Sequence, residues 1–114
     1  MGQGDGFDMS RSSQRKGRAG ELELARVLQG YGYDTEPGRA QSYGEEPDIS
    51  GLPGVHVEVK RCEQLRITEW LKQAQRDAER FQDGAPVVFH RRNREPWLVT
   101  MTLDAFMQIY RREI

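Results

Sequence analysis

Glu58 and Lys60 stand two residues apart in VHVEVKR, where Val55, Val57 and Val59 take one face of a strand and His56, Glu58 and Lys60 the other. In most strands such a pair is a same-face ion pair, worth about 0.2–1 kcal/mol. Asp48 changes that reading. It follows Pro47 and precedes a short Leu52-Pro53-Gly54 turn, so a hairpin would bring its carboxylate close to Glu58. Carboxylates at close range repel, and one is driven toward its protonated form unless a divalent cation lies between them. Oxygen-only ligands suit magnesium, with manganese able to substitute, better than zinc. His56, on the same face, could be a ligand or general acid, or a partly buried strand histidine without a chemical role.

A third acid is out of pattern. On a helical wheel Glu21 falls between Leu24 and Ala25, inside the apolar arc, whereas Glu23 points to solvent. A carboxylate there needs a cation, a hydrogen bond or a proton to offset its desolvation. The alternative is an N-terminal acid that complements the helix dipole.

The elements that must position these groups follow from periodicity. A helix is expected from about Arg18 to Gly30, then a short strand over Tyr33 to Pro37 and a polar loop, GRAQSYGEE. Asp48 to Gly51 and Val55 to Cys62 form a hairpin. Thr68 is the expected N-cap of a second helix, whose stripe of Trp70, Leu71, Ala74, Ala78 and Phe81 ends at Asp83 and Gly84. Strands at Pro86 to His90 and Trp97 to Met101 precede a final helix, Leu103 to Arg112. The order is αβββαββα, an α/β fold with a mixed five-stranded sheet. The strand–helix–strand lengths predict a right-handed crossover that sets the fourth strand parallel to the third. Trp70, Trp97, Leu98, Phe106 and Tyr110 read as core or subunit interface.

A chain of 114 residues supports one domain, expected over 15–114 behind a flexible tail, 1–14. Charged residues make up 31%, so the core is small and a second copy could complete it. The single cysteine, Cys62, excludes an intramolecular disulfide and a cysteine-based zinc site, and fits a reducing compartment. The first residues lack an apolar run suited to a signal peptide or membrane span, so a soluble, cytoplasmic protein is expected. The net charge of -1 argues against a uniform basic coat. The positive charges are nevertheless clustered.

RKGRAGELELARVLQGYGY, GRAQSYGEEPDIS and VHVEVKR together resemble the PD-(D/E)xK nuclease superfamily, and within it the archaeal-type Holliday junction resolvases also found in phages. Arg15-Lys16-Gly17 stands to Glu21 as the group's Arg-Lys-Gly stands to its helix glutamate. Pro47-Asp48 is the PD motif and Glu58-Val59-Lys60 the ExK motif. Arg39 and Ser42 match a loop arginine and serine, and the resemblance runs from about Arg15 to Val99.

The resemblance implies a restriction-endonuclease-like core and a phosphodiesterase of bacterial or phage-infected cells, leaving a 5'-phosphate and a 3'-hydroxyl. Asp48, Glu58 and the Val59 carbonyl would hold magnesium, with Glu21 a direct or water-mediated ligand. Lys60 would orient the attacking water and balance transition-state charge. It would be a poorer base, because an ammonium among acids holds its proton. Cations that could meet phosphates are Arg15, Lys16 and Arg18 before the helix, Arg39 with Ser42 in the loop, Arg61 after ExK, and Arg91, Arg92 and Arg94 in the last hairpin. Arginine-rich turns are equally often just solvated. The expected partners are branched double-stranded DNA and a second copy in a homodimer, since a four-way junction has approximate two-fold symmetry and needs paired cuts. Alternatives are another nuclease of the same fold (nicking, restriction-like or end-processing), or a DNA-binding protein without catalysis, which the presence of all four expected site side chains disfavours.

Overall fold

The computed structural model describes residues 17–39 and 44–112. The expected tail, with Arg15, Lys16 and Ser42, lies outside the described residues. Helix α1 covers 17–30. It is followed by β1 (Glu36–Pro37), β2 (Ile49–Ser50), β3 (Val55–Arg61), α2 (Ile67–Phe81), β4 (Ala85–Arg91), β5 (Leu98–Thr100) and α3 (Leu103–Arg112). This is the αβββαββα order that the sequence pattern predicts. The strands lie side by side in chain order. β3 and β4 are parallel in register from Val55↔Ala85 to Arg61↔Arg91, and the other neighbours are antiparallel.

The crossover through α2 covers the second face of the sheet. Val57 and Val59 do join Leu24, Ala25, Ile49, Val87 and Phe89 in the larger core. The opposite row is closed as well: α2 lays Trp70, Ala74 and Ala78 over it, so His56, which the sequence allows as a partly buried strand histidine, is only 1% exposed and Glu58 3%. A strand between a helix-linked parallel neighbour and a hairpin partner is buried on both faces. Lys60 alone of the three remains half-buried.

The expected first strand is shortened to two residues because Thr35 turns inward to α1. Its hydroxyl donates to the Ala25 carbonyl at 2.9 Å, and the Gln29 amide donates to the Thr35 carbonyl at 2.8 Å. The expected Thr68 cap is also displaced. α2 begins at Ile67, with Arg66 at the cap position and no side-chain cap bond. Ile67 packs against the Trp70 cluster, so burial rather than a hydroxyl sets that start.

Helix α1 reaches β3 closely at one residue. A Cβ on Gly20 would lie 2.6 Å from the Cβ of Arg61, too near for any side chain, so a glycine brings the preceding turn of helix down onto the strand end. The next residue is Glu21.

Candidate active site

β2 bridges β3 only at Ile49↔Val57. Two residues further, the same register would set Pro47 opposite Val59, and proline has no N–H to donate, so the ladder stops there. The Asp48 side chain takes over: its Oδ2 accepts the Val59 N–H at 2.9 Å. The carbonyl of an extended residue projects to the same side as its N–H, which leaves the Val59 carbonyl facing the Asp48 carboxylate without a proline donor. The Asp48 backbone carbonyl accepts the Gly38 N–H at 2.9 Å, anchoring the other flank.

Glu21 and Asp48 meet across this gap. Burial first, then the charge of Asp48 and a hydrogen bond to it, push the Glu21 carboxyl up to about 7, with Arg18 opposing weakly. Asp48 is itself raised by burial, against the Val59 N–H and the Lys60 ammonium, which favour its charged form. Glu58 is pushed up to about 7 by burial, with the His56 hydrogen bond opposing and the charges of Asp48 and Asp77 reinforcing. Asp48 is therefore the hub that couples to both glutamates, and three segments distant in sequence converge on it.

Glu58 has a second set of neighbours beneath α2. His56 Nε2 lies 3.0 Å from Glu58 Oε1, and His56 Nδ1 lies 2.9 Å from Asp83 Oδ1. Burial alone would lower the His56 pKa, but Glu58 and Asp83 outweigh it and hold the imidazole above its usual value. Among the described residues, His56, Glu58 and Asp77 offer ligand atoms that all lie within 4.8 Å of one another. Glu21, Asp48 and Glu58 do not form such a ring. The donor set on the Asp48 side is nonetheless all oxygen and acidic, which fits a hard divalent ion.

Lys60 Nζ donates to Gln73 Oε1 of α2 at 2.7 Å. The sequence alone marks Asp83 as a helix stop, shows Gln73 as an ambiguous polar residue of the second helix, and singles out nothing at Asp77. Only the fold brings them to β3.

Among the described residues, the cations expected to meet DNA are largely engaged within the chain. Arg18 donates to the Gly38 carbonyl and lies 3.7 Å from Glu21. Arg39 pairs with Glu46. Arg91 reaches Glu23 at 2.6 Å and Arg61 reaches the same carboxylate at 3.9 Å. Glu23 is thus no solvated bystander as the wheel suggested, because the end of the sheet supplies two guanidinium groups at its helix face. Arg92 is exposed in the turn after β4.

A five-stranded mixed sheet with flanking helices, an acid at the broken hairpin edge and an ExK strand in its centre define a nuclease-like fold of the PD-(D/E)xK kind. The family described as "Phage putative PDDEXK endonuclease" matches residues 12–113. The chain belongs to that family, and is a nuclease of the PD-(D/E)xK superfamily. No curated protein and no solved structure is significantly similar to it. Nucleases of this superfamily typically use divalent metal ions. No helix among the described residues is long and apolar enough to cross a membrane.

Proposed function

We propose that the protein is a magnesium-dependent endonuclease that acts on branched double-stranded DNA and, as a homodimer, resolves four-way junctions by paired phosphodiester hydrolysis. The observation that carries its catalytic part is the Asp48 carboxylate taking the Val59 N–H where the β2–β3 ladder breaks, within reach of the Glu21 and Glu58 charges. Asp48, Glu58 and the Val59 carbonyl would hold the ion, with Glu21 as a further ligand directly or through water. Held there, a divalent ion would supply Lewis-acid polarisation of the phosphate and a more acidic water.

The chain's own residues do the rest. Lys60 places an ammonium beside the acids, where it orients water and offsets charge that grows on the phosphate oxygens. Gln73 accepts from that ammonium and fixes its direction. Lys60→Met is expected to lower kcat roughly 10²–10³-fold. Gln73→Ala is expected to lower it about tenfold, with the KM for DNA little changed, because it loosens the amine without removing its charge. Steady-state kinetics on a labelled substrate separates the two parameters.

Two features support the substrate and assembly. The Arg15-Lys16-Gly17 spacing to Glu21 resembles the junction-resolving group. Exposed apolar side chains, Leu98 and Val99 on edge strand β5 and Leu103, Phe106 and Tyr110 on α3, suit the pairing of two copies. The test compares a labelled four-way junction, a linear duplex, a flap and a single strand with magnesium, and maps every incision. Paired cuts on opposite strands across the branch are expected. Equal nicking of linear duplex would replace junction resolution by a nicking or restriction-like activity, and a gel shift without cleavage in magnesium or manganese would leave only DNA binding.

A further inference from the structure

We infer that His56 is a positioning residue for Glu58, and that Asp83 holds His56 in turn, so that the turn between α2 and β4 sets how Glu58 presents its carboxylate. The inference rests on the reading of Glu58 as a metal ligand.

The imidazole is fixed from three sides. Nε2 meets Glu58 Oε1 at 3.0 Å, Nδ1 meets the two oxygens of Asp83 at 2.9 and 3.0 Å, and the ring stacks on Phe81 with 6.4 Å between centroids and 15° between planes. The ring itself is only 1% exposed. Both nitrogens are committed to carboxylates, so turning the ring would break two contacts at once. Glu58 is 3% exposed and has the like charge of Asp77 close by. A partner hydrogen-bonded to one Glu58 oxygen therefore decides which oxygen remains for the Asp48 side, and His56 is that partner.

His56 is covered by α2 and lies behind Glu58, so it acts through that carboxylate and not on a reacting atom. Its geometry resembles the outer partners that orient metal ligands, whose removal typically weakens metal binding about 10–100-fold. Asp83 is a third member of the chain and lies near the surface, with a side chain 25% exposed.

The test is calorimetric titration of the full chain with manganese alone, with no DNA present, paired with cleavage at increasing manganese. For His56→Ala the binding constant is expected to weaken roughly 10–100-fold, while most of kcat returns at saturating metal. His56→Gln, whose amide can still donate toward Glu58, is expected to recover part of the affinity. Asp83→Ala leaves the buried ring in place and is expected to shift affinity in the same direction by a smaller factor, about threefold, scaled down from that range. Cooperative thermal melting establishes that each variant is folded. Should His56→Ala not fold, Asp83→Ala decides. Wild-type affinity in the folded variants overturns the role of His56 while leaving the metal site standing. A wild-type chain that binds no manganese overturns the metal site and this inference together.

Discussion

Asp48→Asn and Glu58→Gln are each expected to reduce DNA cleavage by at least about 10³-fold at saturating magnesium, since metal-borne charge stabilisation is several kcal/mol and each 1.36 kcal/mol is tenfold. Both replacements are nearly isosteric. The Asn oxygen still accepts from the Val59 N–H, and the Gln oxygen still accepts from His56, so the hairpin and the α2 face stay in place. Each also removes a negative charge from a crowded set, and the metal-free variants should melt no lower than the parent near neutral pH. DNA affinity in the absence of metal should change little, because neither acid is a phosphate contact. Single-turnover cleavage and a binding isotherm on one junction substrate check both statements. Asp48→Asn cutting within tenfold of the parent rate would remove the metal-centred account of the site.

The second large effect is on stability. Glu21 and Glu58 have an ordinary carboxyl value of 4.5 and are held near 7 in the fold. Their folded-state values are raised, so the folded chain binds more protons than the unfolded chain across that interval. Stability then falls as pH rises from about 4.5 to about 7, and levels off above it. Asp48 and His56 are raised as well and act in the same sense. His90, lowered by burial, acts in the opposite sense and loses stability as pH falls through its range. The sum favours the acid side of neutrality: without metal, Tm is expected to be roughly 5–10 °C lower near pH 8 than near pH 5.5, equivalent to about 1–2 kcal/mol. Millimolar magnesium should restore much of that loss near pH 8 and do little near pH 5.5, where the ligands hold protons. Scanning calorimetry at the two pH values, with magnesium or a chelator, reads this directly. A metal-free Tm that climbs toward pH 8 would contradict the crowding of the three carboxylates.

Much of this was legible in the residues. Period-2 alternation in VHVEVKR fixed the strand and the shared face of His56, Glu58 and Lys60, and the LPG turn fixed the hairpin partner of Asp48. Glu21 stood out because an acid inside an apolar arc demands a partner. The misses share a physical cause. A helical wheel sees one element, so Glu23 looked solvated when Arg61 and Arg91 arrive from the sheet. Strand alternation gives two faces but not what covers them, so the buried Asp83–His56–Glu58 chain and the Gln73–Lys60 contact could not be anticipated. Those depend on where α2 lands, which only tertiary packing decides.

The loop between β1 and β2 is clamped at its mouth, where the Gly38 N–H meets the Asp48 carbonyl and Arg39 meets Glu46. Asp48 is tied independently to Val59, and β3 is pinned along its full length by β4. Lengthening such a closed segment costs only about 0.6 kcal/mol per doubling. A change of length in this segment is therefore cheap, and the reaction centre stays where it is.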